Sequence, residues 1–389
     1  MPRPHELRDH PFQQTIYHRL TEAVASGRSP VKDFLALHLG DTLLDLPAEM
    51  NSPLEEENWD ARWSRYGDPQ GEIELRRRLV EKLQIVNGIP VSGPEELQLS
   101  FGATGGLHLI MRRLLDPGDE ILTLSPYWAI LRVVAKTAER KLVEVPFFDR
   151  VNAVSDEELP GLIEPYLSEK TRAIYFNTPN NPSGVALRPG QIKALAKFAA
   201  GNDLWIIADE AYEDFLWADF KHVCIASLPE AFERSVSVFS YSKSYAAAGL
   251  RLGYVAAPAG TIAALNPGQV GVGYEVNRPA QAAGLRGLAR REAIIPRLRA
   301  QYLQGLQAAE ENLDLPYLAP QGSYFLFLDL RDRWAGLGEE EKLERMLEAG
   351  VSLSPGEHFG HDYDGWARFC YTCEEPDRIA EAARRVSRL

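Results

Sequence analysis

The sequence predicts an α/β fold, and three observations carry that reading. Short apolar runs rich in β-branched and aromatic residues, LQLSF (97–101), AIYF (173–176), LWIIAD (204–209) and SVSVF (235–239), read as buried strands. Segments of helical period separate them, as in GLHLIMRRLL (106–115). Polar residues gather where these strands end: Asp209 closes one, and Ser240, Ser242 and Lys243 follow another. Open α/β sheets place their ligands at the carboxyl ends of their strands, so these residues mark an expected site.

Composition bounds the function. With 389 residues, 45% hydrophobic and 25% charged, the chain can bury a large core and has the balance of a soluble globular enzyme. A net charge of −13 argues against a nucleic-acid partner, which selects basic faces. No apolar run approaches the roughly 20 residues of a membrane span. The opening MPRPHELRDHPFQQ lacks the apolar centre of a secretory signal, so a cytoplasmic location is expected. The three cysteines, Cys224, Cys370 and Cys373, fit a reducing compartment without a disulfide framework. CYTC has CxxC spacing but no second pair, and ARFCYTC reads as a strand whose alternate residues face opposite ways. No metal site is therefore expected.

In chain order, FQQTIYHRLTEAVASG (12–27) has a helical pattern, and VKDFLALHLGDTLLDLP reads as a short strand turning into a loop at Gly40. Asp41 and Asp45 read as solvated loop carboxylates, with a cationic substrate as the alternative partner. Within RYGDPQGEIELRRRLVEKL (65–83) the second half is helical in period. Residues 97–130 form strand, Gly-rich turn, helix, strand, and the turn at 102–106 puts backbone N–H groups and the Thr104 hydroxyl at a helix N-terminus, a seat for phosphate. A dinucleotide-binding reading of GATGG fails on spacing, because position 108 is His. SPYWAI offers Trp128, either a flat face for a conjugated ring or a core indole. NNPSG, a common turn taken alone, follows a strand and contains Asn181. Asp209, ending a buried strand, needs a partner, since an unpaired buried charge is expensive; Tyr212 comes three residues later. The hydroxyls of Ser240 and Ser242 with the Arg251 guanidinium, inside GLRLG (249–253), make a dianion cradle. An amine beside such a cradle, Lys243, suggests a Schiff-base lysine. Beyond Gly253 come YVAAP, a loop containing GVGYEVNRP, and a helical run near 279–306. Strand and helix then alternate through APQGSYFLFLDL, EEEKLERMLEAG, VSLSPGEHFG, ARFCYTC and a final amphipathic helix.

SYSK followed by GLRLGY resembles the lysine segment of the class I/II aminotransferases, pyridoxal phosphate enzymes of fold type I. Other segments match that family in order: Tyr66, Gly71, Leu75 and Arg76 its Y-x4-G-x3-L-R, Asn181 its N-P-[TS]-G, DEAY its aspartate and tyrosine, and Gly322, Tyr324 and Phe325 its P-x-G-x-[YF]-F. The resemblance implies a large domain (55–285) with a mostly parallel seven-stranded sheet, and a smaller α/β domain from both termini (1–54 and 286–389). It implies pyridoxal 5'-phosphate bound as a Schiff base on Lys243, its phosphate held by Gly102, Ala103, Thr104, Ser240, Ser242 and Arg251. By the same likeness Trp128 stacks on the ring, Asp209 meets the ring nitrogen, and Asn181 and Tyr212 reach the phenolic oxygen. The substrate falls to Gly40, Asn181 and Arg368, the last binding an α-carboxylate. The match of Tyr66, whose counterpart in the family reaches a neighbouring subunit's phosphate, implies a homodimer. The reaction implied is Schiff-base formation with an L-amino acid and loss of its Cα proton, which Lys243 can take. The wording of PHELRDHP and VKDFLALHLGD further resembles the capreomycidine-synthase-like cyclases of antibiotic biosynthesis, which implies elimination and ring closure on a hydroxyarginine-type substrate. The alternative is an aminotransferase giving a 2-oxo acid. A third, a regulatory pyridoxal phosphate domain without catalysis, calls for a basic winged-helix segment ahead of the fold, and none is read before Tyr66.

Overall fold

The computed structural model describes residues 16–51 and 60–389. Its centre is a seven-stranded sheet of β1 (Leu97–Phe101), β2 (Glu120–Ser125), β3 (Lys141–Pro146), β4 (Thr171–Asn177), β5 (Trp205–Asp209), β6 (Ser235–Ser240) and β7 (Leu252–Ala256). Their spatial order is β1-β7-β6-β5-β4-β2-β3, and only β7 runs against the others. Every residue of β2 and β6 is buried, Thr123, Ser125 and Ser237 included, because helices cover both faces. Register fixes the site from here. Asn177 pairs with Asp209, and Asp209 with Val238, so β4 and β5 end together and β6 runs two residues further.

A second, antiparallel sheet of four strands is built from Tyr317–Leu318, Phe325–Asp329, Ser354–Pro355 and Trp366–Cys370. Arg368 lies in its middle, between Phe327 and Ser354. Leu35–Ala36 pairs in parallel with Val351–Ser352 and brings the segment carrying His38 and Gly40 against that sheet.

Several sequence expectations shift. The predicted loop around GVGYEVNRP is mostly helix: Ala259–Gly273 is continuous despite Pro267, because Ile262, Leu265 and Gln269 recur at helical spacing and are buried. The predicted run at 279–306 is two helices, Arg278–Ala289 and Arg291–Asn312, broken at Arg290. The expected boundary at 285/286 falls inside the first of these, and the one at 54/55 lies outside the described residues. PHELRDHP and residues 12–15 of the predicted first helix also lie outside them; its described part is Ile16–Ala25. Arg278 turns to Glu72 at 2.8 Å. The strand read through ARFCYTC stops at Cys370, and the chain bends so that Cys373 Sγ comes 3.4 Å from the Cys370 carbonyl oxygen. Strict alternation therefore does not hold across the CxxC.

Candidate functional site

Where the parallel strands end, a cavity of about 420 Å³ opens between the two sheets. Gly40, Ala103, Thr104, Trp128, Asn181, Asp209, Tyr212, Ser240, Ser242, Lys243, Arg251 and Arg368 all line it. Of the residues expected from the sequence, Gly102 stands just behind the wall and Tyr66 lies outside. Tyr66 is 83% exposed, its ring centre 5.0 Å from that of Tyr274.

One end of the cavity is a cradle for an anion. Helix α1 (Gly102–Leu114) begins directly after β1, so 102–106 is the helix's own first turn rather than a turn ahead of it. Gly102 has φ +65°, and a Cβ there would stand 2.6 Å from Arg251 Nη2. Arg251 is itself left-handed at φ 50° and donates from Nη1 to the Ala248 carbonyl at 2.8 Å, which holds its guanidinium over the start of α1. Ser240 Oγ accepts the Ser242 N–H at 3.1 Å. Hydroxyls, a guanidinium and helix-start N–H groups thus converge, the donor set a phosphate dianion requires.

At the other end Asp209 is almost wholly buried. Its carboxylate accepts the Tyr175 hydroxyl at 3.0 Å and the Ala211 N–H at 3.1 Å. Among the described residues no basic side chain lies within ion-pair distance. Burial pushes its pKa up to about 6, the two hydrogen bonds pulling the other way. Asn177 fixes the neighbourhood, donating to the Asp209 carbonyl at 2.8 Å and accepting the Asn181 N–H at 2.7 Å. Asn181 Nδ2 in turn donates to the Tyr212 hydroxyl at 3.4 Å. Trp128, half-buried, backs onto the core and turns toward the cavity between these two ends.

Lys243 Nζ donates to the Gly40 carbonyl at 2.6 Å and lies over the Tyr212 and Tyr324 rings. Burial draws its pKa below the usual lysine value, a shift toward the neutral amine. Arg368 is buried between the Phe325 and Phe359 rings. It donates to Asn181 Oδ1 at 3.0 Å, to the His38 carbonyl at 2.8 Å and to Ser354 Oγ at 3.3 Å, while its Nε has no partner. No carboxylate among the described residues reaches it. His38 itself contacts Ser352 Oγ through Nδ1 at 2.6 Å, and burial with the nearby Arg368 charge holds its pKa near 4, leaving it neutral.

Sequence reasoning missed His38, Asn177, Tyr175, Tyr324, Ile130 and Phe359. Asn177 had a signal, since it ends the strand next to the one Asp209 ends. Tyr324, whose hydroxyl donates to the Lys243 carbonyl at 2.8 Å, stood in a quoted motif without a role.

These residues suit pyridoxal 5'-phosphate. The cradle answers its phosphate, and Asp209, a buried acid with no cation, answers its ring nitrogen. Residues 33–386 match the family model "Aminotransferase class I and II". The chain belongs to that family. It is a pyridoxal phosphate-dependent enzyme of the aminotransferase fold, as the family's members are. An aspartate aminotransferase of Pyrococcus abyssi is 32% identical, with 92% of each chain covered. The arginine–pyruvate transaminase of Pseudomonas aeruginosa is also 32% identical, over 96% of this chain and 93% of its own. Among solved structures, an aromatic aminotransferase from Pyrococcus horikoshii superposes with a TM-score of 0.85 at 30% identity, over 95% of this chain and 98% of the other. All three relatives are named as amino-transferring enzymes, which favours the aminotransferase alternative over elimination and cyclisation.

Proposed function

We propose that the chain moves the amino group of an L-amino acid to a 2-oxo acid in the cavity between the two sheets. One observation carries this: Lys243 and Arg368, an amine biased toward neutrality and a guanidinium with no acid partner, face the same cavity.

Pyridoxal 5'-phosphate supplies a carbonyl that condenses with amines and a conjugated ring that accepts the electron pair of a broken Cα–H bond. The protein's part is to hold and orient. The first turn of α1, Ser240, Ser242 and Arg251 hold the phosphate; Trp128 covers a ring face; Asn181 and Tyr212 hold the phenolic oxygen. Asp209 keeps the ring nitrogen protonated. Arg368 grips the substrate α-carboxylate through paired N–H groups, with the His38 carbonyl and Asn181 fixing the plane of its fork. Lys243 Nζ, whose amine burial favours, takes and returns the proton at Cα, and Gly40 marks where that nitrogen rests otherwise.

Two copies complete the site in this reading. The exposed Tyr66 of one protomer reaches the phosphate cradle of its partner, which accounts for a tyrosine that does not line this cavity in its own chain. The side-chain specificity is left to the walls: Leu39, Ile130 and Phe359 are apolar, and the named relatives span acidic, aromatic and basic substrates.

The test offers purified enzyme a panel of amino acids, including arginine and 3-hydroxyarginine, with pyruvate or 2-oxoglutarate, and identifies products by mass. A 2-oxo acid paired with a new amino acid is expected, and Lys243→Ala should lose at least ~1000-fold in turnover. Loss of water with every nitrogen retained would instead establish elimination and cyclisation, and full activity in Lys243→Ala would end the covalent role.

A further inference from the structure

Behind the strand end that carries Asp209, on the side away from the cavity, a second group of side chains converges. Glu210 follows Asp209 directly, while His222 and Cys224 come from the loop beyond Ala218. One ligand atom from each of Glu210, His222 and Cys224 lies within 4.8 Å of the others. Glu210 and Cys224 are 1% exposed. Glu210 Oε2 meets His222 Nε2, and Asn87, the last residue of the π-helical stretch Leu83–Asn87, donates from Nδ2 to Cys224 Sγ at 3.1 Å. At this place Glu210 Oε1 is buried without any partner, while Asn87 Nδ2 is shared between Cys224 Sγ and Glu213 Oε2, the latter at 2.6 Å. Buried polar atoms almost always find partners, and an orphaned carboxylate oxygen beside an imidazole and a thiol calls for an ion or a water.

We propose that this cluster binds one divalent cation of the zinc class, through Glu210, His222 and Cys224, with a water in the fourth position. The donor types set the metal. A thiol and an imidazole select borderline-soft ions such as Zn²⁺ over Mg²⁺ and Ca²⁺, which demand oxygen. Charge agrees. Lys82 Nζ lies 2.5 Å and 2.7 Å from the two Glu213 oxygens and neutralises that carboxylate, which leaves the Glu210 carboxylate and the Cys224 thiolate to balance a dication. Binding releases the Cys224 proton, and any proton shared by Glu210 and His222, to solvent. Spacing agrees as well. Ligand atoms on a tetrahedral zinc stand roughly 3.5 Å apart, so the cluster needs a contraction of at most about 1.3 Å. The His222 side chain keeps a tenth of its surface exposed, which gives an ion access. The cation would tie two separate segments, the residue after β5 and the 218–224 loop, into one unit behind Asp209, with Asn87 donating to the Cys224 sulfur. Its role is to position that strand end and not to take part in amino transfer.

The experiment uses the full-length holoenzyme, dialysed against chelator and titrated with ZnCl2 by calorimetry and with CoCl2 by visible spectroscopy. One equivalent of Zn²⁺ should bind at micromolar or tighter Kd. Cobalt should show the intense ligand-field bands of a tetrahedral thiolate site, at wavelengths clear of pyridoxal absorption. Cys224→Ser should abolish those bands and weaken zinc binding at least ~100-fold, whereas Cys373→Ser should change neither. Absence of saturable one-equivalent binding to the wild-type protein, a six-coordinate cobalt spectrum, or unchanged affinity in Cys224→Ser would each overturn the site. The wild-type titrations decide the question even if a variant does not fold, and none of these readouts depends on the amino-transfer reading.

Discussion

At Asp209 a single carboxyl is made to work against its own solvation. Burial raises its pKa to about 6, so in the cofactor-free protein the native state binds the proton more tightly than the unfolded chain does. The sign follows: that contribution to stability is present below the ordinary carboxylate value near 4 and is lost as pH climbs toward 6, a cost of about 3 kcal/mol at neutral pH. A protonated ring nitrogen reverses the sign by giving the carboxylate a cation. Asp209→Asn should therefore make the cofactor-free protein more stable than wild type at pH 8 by about 2–3 kcal/mol, with the difference shrinking toward zero at pH 4. Turnover should fall at least ~100-fold in the same variant, because an amide cannot hold the ring nitrogen protonated. Urea denaturation of both cofactor-free proteins across this pH range measures the first effect. A difference independent of pH would show that Asp209 does not carry an ionisation cost.

One scale up, the phosphate cradle depends on how closely α1 can approach β7. Gly253 makes that approach possible: a Cβ there would stand 2.6 Å from the Gly102 carbonyl carbon, 2.7 Å from the Phe239 oxygen and 2.9 Å from the Ala103 nitrogen, all backbone. Gly249, the other glycine flanking Arg251, has nothing within 4 Å. Gly253→Ala should cost more than ~3 kcal/mol and weaken pyridoxal phosphate binding with it, while Gly249→Ala should stay within about 0.5 kcal/mol of wild type in thermal unfolding. Equal effects would mean that the spacing of helix and strand does not set the cradle. From sequence, the elements whose own residues dictate them were readable. The parallel strands announce themselves because burial on both faces favours apolar, β-branched and small hydroxyl residues, and Asp209 and Lys243 stand out as charges at the ends of such runs. Helix Ala259–Gly273 was not readable, since its glycines and Pro267 argue for a loop and only packing against α1 overrules them: a Cβ on Gly268 would sit 3.1 Å from Leu109 Cδ2. The break at Arg290 was hidden too, since no glycine or proline stands at 289–291 to mark it. Tyr175 and His38 act through positions that only tertiary register defines. The Glu210, His222, Cys224 cluster joins a strand end to a loop twelve residues on, a spacing no short motif describes.

For the whole molecule, the decisive question is whether one chain suffices. Tyr66 matches a tyrosine that in the family grips phosphate, yet here its side chain is 83% exposed and lies outside the cavity holding every other expected cofactor contact except Gly102. Tyr274, beside it, and Ile73, Val270 and Val272 are further exposed apolar side chains, which a second copy would cover. In a two-fold dimer each site takes Lys243 from one protomer and Tyr66 from the other. A mixture of Lys243→Ala and Tyr66→Ala proteins, each nearly inactive, then contains hybrids in which one site has lost both groups and the other has both. Random reassortment makes half of the dimers hybrid, so total activity should recover to about a quarter of the wild-type value after subunit exchange. If Tyr66 served its own chain, each hybrid site would lack one group and mixing would restore nothing. Sedimentation of the mixture establishes that dimers form, and the recovered rate then reports which protomer supplies the tyrosine.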